Sequence, residues 1–332
     1  MFNKVFIENN ILTHQLTKDI ISKIKFNEIH HIDSYDDIWG RARKPYLEKR
    51  ENLNLFIAIK KGQKVKEAPP AYGHGDEKHY YFIHSYNCIY ECEYCYLQGH
   101  FTSPDLVFFV NHDEIIQEME EIVKKNPNVW FHAGEFSDSL ALSHITGELP
   151  LYFEFFEKNP NAKLELRTKS LNIKVLEKLK AQPNIIVSFT MSSHHAGKIF
   201  DYKCPSVKHR LIAIKKLVEC GYQIGLHFDP IIYHEDFEQG YLEVINKLGS
   251  ILPNNQLHYI SLGVVRFTKE IYHDVKNNYP ESKILKQDFT KSFDGKMRYN
   301  APMRMWMMQK VKQMLIDYYN MDKIYFCMEE EL

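Results

Sequence analysis

Three cysteines lie within eight residues of this 332-residue chain, at Cys88, Cys92 and Cys95. This C-x₃-C-x₂-C spacing brings three thiolates within reach of one soft metal centre, whereas an odd trio cannot pair fully into disulfides. A cubane 4Fe–4S cluster held by three cysteines has one iron without a protein ligand, which is open to a small molecule. Two alternatives stay open: buried structural cysteines, or a zinc site completed by His84 or His100.

The three-cysteine motif, followed directly by Tyr96 and Leu97, resembles that of the radical S-adenosylmethionine (SAM) superfamily. In that superfamily the open iron chelates the methionyl part of SAM, and one-electron cleavage of the sulfonium releases a 5′-deoxyadenosyl radical. The resemblance implies a 4Fe–4S cluster and SAM as cofactors, and an electron donor such as flavodoxin or ferredoxin. The protein would orient and shield the cofactor, which carries the chemistry.

Alternating strand-like and helix-like stretches follow a Pro/Gly-rich loop at residues 67–75. The predicted strands after this loop are 80–83, 129–132, 164–167, 185–190, 223–228 and 258–262. The predicted helices are 113–125 with Asp113 as N-cap, 173–181, 207–220 and 237–249. This alternation predicts the α/β class and a partial (β/α)₆ barrel of the radical SAM type, with ligands at the carboxyl ends of its strands.

The barrel accounts for only part of the chain. We predict an N-terminal extension at 1–75 that ends in a strand near 54–59, the barrel at 76–275, and a C-terminal cap at 276–332. The cysteine loop comes directly after the first barrel strand, where such a fold places its chemistry.

Composition predicts a cytoplasmic enzyme. Hydrophobic residues make up 44% of the chain, with 21 Tyr and 21 Phe, which argues against disorder. The N-terminus lacks a signal-peptide layout, and no apolar run approaches the roughly 20 residues that span a bilayer. Three further cysteines are scattered, at Cys204, Cys220 and Cys327, which favours a reducing compartment. The charge is balanced, at 42 Lys and Arg against 43 Asp and Glu, and does not indicate a nucleic-acid binder.

The segment 92–98 resembles the cluster loop of spore photoproduct lyase and its relatives, radical SAM enzymes that split a thymine dimer in DNA. Further matching pieces follow in the family's order across roughly residues 50–305. These are Phe56-Ile57-Ala58-Ile59-Lys60, Ser137-Asp138, Thr168-Lys169, Pro230-Ile231, His234-Glu235, Gly240-Tyr241 and Arg266-Phe267-Thr268-Lys269. The resemblance implies a lyase-type radical reaction on a nucleic-acid base such as a pyrimidine photoproduct.

One position departs from that family. Glu135 stands where the lyase has the cysteine that gives a hydrogen atom to the product radical, a role that a carboxylate cannot fill. The stretch around it instead resembles the Gly-Gly-Glu motif of the wider superfamily, which implies that Glu135 binds the α-amino group of SAM. The alternative is an ordinary surface glutamate at a strand end.

Two tyrosines flank the third cysteine. In the resembling lyase, tyrosines at the positions of Tyr94 and Tyr96 help to return the hydrogen atom to the cofactor, which makes both candidate catalytic residues. A phenol O–H suits this role because the ring stabilises the oxygen radical. The alternative is aromatic packing that keeps the cluster dry.

Four polar residues at predicted strand ends are further candidates for cofactor binding: Ser137, Lys169, Ser188 and Ser192. Lys169 could contact the SAM carboxylate or stabilise the negative charge of the cluster. Ser188 and Ser192 could donate hydrogen bonds to the ribose or the carboxylate. Each of the four could equally be an ordinary polar residue at a strand end.

Basic residues gather in two places, and the second group is interleaved with aromatic residues. The first group is Arg41, Arg43, Lys44, Lys49 and Arg50. The second is Lys283, Lys286, Lys291, Lys296, Arg298 and Arg304, with Phe289, Phe293, Tyr299 and Trp306. Such groups suit a groove for a nucleic-acid backbone and a flipped base. The alternative is two solvated faces and a C-terminal helix that packs Met303, Trp306, Met307 and Leu315.

Three functions therefore stay open. The leading hypothesis is a radical SAM lyase that resembles spore photoproduct lyase, with nucleic acid as partner. The second is radical SAM modification of a small molecule, a peptide or an RNA base. The third is a non-catalytic, metal-stabilised nucleic-acid-binding protein, which would be colourless with zinc, whereas an iron–sulfur enzyme is brown.

Overall fold

The computed structural model of this chain describes residues 2–39, 53–69 and 77–329. The first basic group (Arg41 to Arg50) and residues 70–75 of the predicted loop lie outside the described residues. The strands are β1 Phe2–Glu8, β2 Phe26–Ile32, β3 Leu55–Ala58, β4 Val65–Glu67, β5 Lys78–Phe82, β6 Ser85–Tyr86, β7 Glu91–Cys92, β8 Leu106–Phe109, β9 Val129–Ala133, β10 Lys163–Thr168, β11 Ile185–Thr190, β12 Asp201–Tyr202, β13 Gln223–Ile231, β14 Leu257–Val264, β15 Arg266–Phe267, β16 Phe289–Lys291, β17 Met297–Tyr299 and β18 Ile324–Phe326. The helices are α1 Gln15–Lys23, α2 Leu97–His100, α3 His112–Lys125, α4 Ser143–Thr146, α5 Leu149–Lys158, α6 His194–Phe200, α7 Val207–Glu219, α8 Phe237–Ile251, α9 Lys269–Asn278 and α10 Ala301–Leu315.

An eight-stranded sheet in the order β18-β14-β13-β11-β10-β9-β5-β4 carries most of the core. Its six central strands are the six predicted ones, and they pair in parallel with their sequence neighbours. All six residues of β11 are buried, as expected for a parallel strand covered on both faces. The sheet does not close on itself within the described residues, so the predicted α/β class and partial barrel are confirmed.

A second sheet, in the order β2-β1-β3-β8-β6, lies at the N-terminal side and has its own apolar core. It takes β6 and β8 from the sequence after residue 75, while β18, beyond residue 275, pairs with β14 of the large sheet. Strand pairs thus cross both predicted boundaries. The predicted boundaries at 75 and 275 therefore do not coincide with the borders of the two sheets, and the division into three regions stays a proposal.

Two helix predictions are wrong. Residues 173–181 contain a single 3₁₀ turn, Leu176–Lys178, because the Tyr222 hydroxyl donates to the carbonyls of Leu176 and Leu179 at 2.8 and 3.2 Å. A longer helix would use those carbonyls for its own turns. The N-cap of α3 is Asn111 rather than Asp113, although the Asn111 side chain bonds to the backbone of Lys60 instead of capping the helix.

The longest described helices, α8 and α10, have 15 residues each. A bilayer requires roughly 20 predominantly apolar residues. None of the helices in the described parts of the chain meets the length and apolarity needed for a membrane span.

Candidate active site

The three motif cysteines follow the first barrel strand β5, as predicted. Cys88 precedes β7, Cys92 ends it, and Cys95 precedes the short helix α2. The Gln98 side chain holds this loop by donating to the backbone carbonyls of Cys92 and Glu93 at 3.2 and 2.9 Å. Within the loop, the Tyr90 backbone N–H also donates a hydrogen bond to Cys88 Sγ at 3.4 Å. The cluster loop is therefore fixed by its own polar contacts.

The spacing of the sulfur atoms tests which metal group fits. Ligands of one tetrahedral zinc lie about 3.8 Å apart, given a Zn–S distance of about 2.3 Å. Within the described ranges, Cys88, Cys92 and Cys95 do not form a group whose sulfurs all lie within 4.8 Å of one another, with or without His84 or His100. The trio therefore does not converge on a single ion in this structure, and three thiolates are the donor set of a cluster that takes one sulfur per iron.

A cavity of about 420 Å³ opens beside these cysteines at the carboxyl ends of the barrel strands. This size falls in the range of small-molecule sites, roughly 300–1,000 Å³. Its polar lining includes Cys88, Cys92, Cys95, Tyr90, Tyr94, Tyr96, Glu135, Ser137, Asp138, Arg167, Thr168, Lys169, Thr190, Asp229, Arg266, Thr268 and Lys296. Cysteines, carboxylates and cations thus face one space large enough for a cofactor.

Glu135 and Tyr96 meet across this cavity. Gly134 has a φ of +88°, and a Cβ there would approach Ser139 Oγ to 2.6 Å, so only glycine allows this turn after β9. The Tyr96 hydroxyl donates to the backbone carbonyl of Glu135 and lies 3.3 Å from Glu135 Oε1. The turn therefore presents the Glu135 carboxylate to the cavity, and its contact with the amino group of SAM stays a prediction.

Asp138 joins the ends of two neighbouring barrel strands. Its carboxylate accepts from the Thr168 hydroxyl at 2.6 Å and from the Lys169 backbone N–H at 2.8 Å. It also accepts from the backbone N–H groups of Leu140 and Ala141 at 3.0 and 2.8 Å. The first two bonds hold the loop after β9 against the end of β10, and the other two fix the turn within that loop. Asp138 is thus a structural support for the turn that carries Glu135.

A buried charge network lies behind the cysteine loop. The Tyr94 hydroxyl donates to Asp201, and the other carboxylate oxygen of Asp201 lies 2.5 Å from Arg210 Nη2. Lys169 Nζ lies 5.4 Å from the centre of the Tyr94 ring. Burial lowers the pKa of Lys169, but the negative charges of Cys92 and Asp201 outweigh it and raise the pKa overall. A stable ammonium group beside Cys92 suits an anionic cluster.

Of the three serines predicted to bind the cofactor, only Ser137 reaches the cavity. Ser137 lines the cavity, with its hydroxyl 3.4 Å from His84 Nε2. Ser188 and Ser192 are buried, and neither is among the described residues that line the cavity. The Ser188 hydroxyl instead donates to Glu165 at 2.6 Å, inside the barrel. Ser188 lies on β11 and Ser192 in the connection that follows it, and neither reaches the cavity in this structure, so their contacts with SAM stay a prediction.

Glu165 explains where Ser188 points. Besides Ser188, this buried carboxylate has Tyr259 Oη at 2.5 Å, His227 Nε2 at 2.7 Å and His132 as partners. Burial raises its pKa, but Arg167 and His132 outweigh that and lower the pKa well below its usual value. Glu165 itself lies on β10, and its partners lie on β9, β11, β13 and β14. The carboxylate thus links five neighbouring strands inside the barrel.

Sequence reasoning missed an ion pair at the far side of the cavity. Arg266 donates hydrogen bonds from Nη1 and Nη2 to the two carboxylate oxygens of Asp229, at 2.7 and 2.9 Å. Burial raises the pKa of Asp229, but Arg266 outweighs it and lowers the pKa to about 2. The alternation of Gly225, His227 and Asp229 along an otherwise apolar strand was the available signal for a polar row facing the barrel interior.

The second basic group differs from the prediction. Arg298 and Tyr299 are buried, and Arg298 bonds to Glu329 at 2.8 Å and also to Asp294. Arg304 bonds to Glu329 as well, at 3.0 Å. These side chains hold the cap together and cannot follow a phosphate backbone. The exposed remainder comprises Lys283, Lys286, Lys291, Phe293 and Trp306.

Comparison with known proteins places the chain in a family. A family model described as spore photoproduct lyase matches residues 1–327. Spore photoproduct lyase of Bacillus subtilis (strain 168) is 27% identical over 289 residues, which cover 84% of this chain and 83% of that protein. The protein of the same name from Geobacillus sp. (strain Y412MC61) is 25% identical with the same coverage.

Solved structures agree in fold. A spore photoproduct lyase complexed with dinucleoside spore photoproduct has a TM-score of 0.81 at 22% identity, covering 98% of this chain and 99% of that one. A double mutant of that enzyme, with bound AdoMet and dinucleoside spore photoproduct, has a TM-score of 0.82 at 21% identity and covers 99% of both chains. With a match over nearly its whole length, this chain belongs to the spore photoproduct lyase family of radical SAM enzymes, which use a 4Fe–4S cluster and SAM.

Proposed function

We propose that this protein splits a thymine photoproduct in DNA by radical chemistry. The observation that carries the proposal is the cavity that joins the three cysteines to Glu135, Lys169 and Tyr96, in a chain that matches the lyase family over residues 1–327. Relatives are named spore photoproduct lyase, and solved structures of that enzyme hold dinucleoside spore photoproduct. When bound, the cluster and SAM supply a 5′-deoxyadenosyl radical.

Residues of this chain hold and orient those groups. Cys88, Cys92 and Cys95 would ligate three irons, and the half-buried Lys169 would balance the negative charge next to Cys92. Glu135 would accept a charge-assisted hydrogen bond from the amino group of SAM, with Ser137 in the same turn. Against the effect of burial, the negative charges of Cys92 and Asp201 raise the pKa of Lys169, which favours the cluster over the SAM carboxylate as its target.

The two tyrosines have different surroundings, which separates their roles. The Tyr94 hydroxyl is committed to the buried Asp201, which Arg210 also binds. Tyr96 is 37% exposed, and its hydroxyl lies at the Glu135 turn that replaces the donor cysteine of the resembling lyase. We therefore assign the transfer of a hydrogen atom to the product radical to the Tyr96 O–H. The Tyr96 phenoxyl radical that remains would take a hydrogen atom back from 5′-deoxyadenosine, which closes the cycle. Tyr94 would position the cluster loop.

Exposed aromatic and basic side chains of the cap favour a nucleic-acid substrate at the cavity mouth. Strands β16 and β17 form a hairpin whose turn carries the exposed Phe293, while Lys296 on the same hairpin lines the cavity. Lys291 is exposed on β16. An aromatic side chain between lysines can stack on a base and contact the flanking phosphates. We propose that a lesion flipped out of the duplex enters beside this hairpin.

The electron donor stays a prediction. One-electron reduction of the cluster requires a low-potential partner, and a flavodoxin or ferredoxin is the expected one. Reconstitution with dithionite replaces this partner in every assay below.

Glu135→Ala should weaken SAM binding by roughly ten- to a hundredfold, because a lost hydrogen bond to a charged group costs about 1.5–3 kcal/mol. The cluster should be unaffected, since the Tyr96 hydroxyl still has the backbone carbonyl of residue 135 as acceptor. Equilibrium binding of SAM to the reconstituted protein measures this. Glu135→Gln is the matched control for side-chain size, and an unchanged SAM affinity in both variants would remove Glu135 from the cofactor site.

The proposed function itself is tested with dinucleoside spore photoproduct, SAM and dithionite under anaerobic conditions. Mass spectrometry should show two thymine nucleosides for each photoproduct consumed. A protein that cleaves SAM without changing this substrate, and instead modifies an RNA base, a peptide or a small molecule, would have the second predicted function. The radical SAM assignment would survive that result, and the lyase reaction would not.

A further inference from the structure

A fourth cysteine lies directly behind the cluster loop. Cys204 Sγ is 3.5 Å from Cys92 Sγ, within the distance of a sulfur–sulfur hydrogen bond. Cys204 comes just after β12, in the connection between α6 and α7. It is far from the motif in sequence, at 112 positions from Cys92, and its spacing suggests no relation to the other three cysteines.

The position of Cys204 is built into the fold. Strand β12 pairs antiparallel with β7, with Asp201 opposite Cys92. The turn that follows is closed by the Cys204 N–H, which donates to the Asp201 carbonyl at 3.1 Å. An ion pair between Lys203 and Glu91, at 2.8 Å, fixes the same turn from the outside. The two sulfurs are therefore brought together by a backbone pairing and not by a flexible loop.

Cys204 does not have the geometry of a cluster ligand. Two thiolates at 3.5 Å would share one metal ion, whereas each iron of a cubane takes one cysteine sulfur. Asp201 completes a group of three possible ligand atoms with Cys92 and Cys204, but its carboxylate is already held by Tyr94 and Arg210. Among the described residues that line the SAM cavity, Cys204 is absent. Cys204 thus stands behind the ligand, away from the open iron.

We propose that Cys204 is a positioning residue of the cluster, whose thiol donates a hydrogen bond to the Cys92 sulfur and raises the reduction potential. A ligating cysteine is a thiolate and can only accept, so the donor of this pair is Cys204. A hydrogen bond to a ligand sulfur stabilises the additional negative charge of the reduced cluster. This inference rests on the cluster at Cys88, Cys92 and Cys95 and not on the identity of the substrate.

The test is a redox titration of the reconstituted protein, followed by electron paramagnetic resonance without SAM or substrate. Cys204→Ala should retain a full complement of iron, yet its ratio of reduced to oxidised cluster at a fixed potential should fall about tenfold, or about 59 mV for a one-electron couple. Cys204→Ser, which keeps a hydroxyl donor, should recover much of the difference. Cys220→Ala is the control, because Cys220 is an exposed thiol at the end of α7.

An unchanged potential in Cys204→Ala with full iron content would overturn the proposal. Loss of iron in both Cys204 variants would overturn it too, since it would make Cys204 a ligand. Neither result depends on whether the thymine photoproduct is the substrate, so failure here is distinct from failure of the proposed function.

Discussion

Replacing any one of Cys88, Cys92 and Cys95 by alanine should abolish a competent 4Fe–4S cluster and, with it, the reductive cleavage of SAM. Each sulfur would serve a separate iron of the proposed cluster, because the three do not converge on one point in the described structure, so none could stand in for another. Iron and sulfide content, the signal after dithionite reduction, and the yield of 5′-deoxyadenosine measure the loss. All three should fall to background in each variant.

Cys220→Ala and Cys327→Ala supply the controls for this series. Cys220 is exposed at the end of α7, and Cys327 follows β18, where its thiol lies 3.6 Å from Arg266 Nη2. Both variants should keep the cluster at wild-type iron content. A triple alanine variant of the motif that still cleaved SAM reductively would contradict the assignment outright.

Tyr96→Phe should uncouple SAM cleavage from repair. The substitution removes one hydroxyl group and leaves the ring, so the cluster and SAM binding should persist, while the product radical loses its hydrogen donor. The ratio of thymine formed to SAM cleaved should fall by roughly tenfold or more, a loss of about 1.4 kcal/mol or more in transition-state stabilisation. Mass spectrometry of both products from the same reaction gives this ratio.

Tyr94→Phe is the matched control, because the Tyr94 hydroxyl donates to Asp201, which Arg210 also binds. Its main effect should be on cluster stability, with the ratio of thymine to cleaved SAM preserved. Adding Glu135→Cys to Tyr96→Phe, at saturating SAM, should restore repair by putting a thiol where the resembling lyase has one. If Tyr94→Phe lowers the ratio and Tyr96→Phe does not, the two assigned roles are reversed.

The barrel and the cluster could be predicted because their signals are local. The six central strands are short apolar runs separated by helical periodicity, and their observed bounds differ from the predicted ones by a few residues at most. The spacing of Cys88, Cys92 and Cys95 indicates a cluster loop by itself, because the motif spans eight residues and does not depend on the position of distant segments. Glu135 could be placed for a similar reason, since it follows a strand whose end is set by Gly134.

The contacts between distant segments could not be predicted. Cys204 and Asp201 reach the cluster loop only through the pairing of β12 with β7, two strands of two residues each that have no periodicity to detect. Ser188 lies in a strand buried on both faces, so its sequence does not show whether it points into the barrel or towards the helices. The sequence does not show that Arg298 is buried, because its ion pairs with Asp294 and Glu329 form only in the folded cap.

Electron paramagnetic resonance of the reconstituted, dithionite-reduced protein, with and without SAM, tests whether the three cysteines hold a cluster with an open iron. We expect a 4Fe–4S signal whose shape changes when SAM is added, together with hyperfine coupling to the nitrogen of the SAM amino group, because one iron would have no ligand from the protein. The coupling should persist in Cys204→Ala, where all three ligands remain. A signal that SAM leaves unchanged, or a colourless protein that binds zinc in place of iron, would contradict the account.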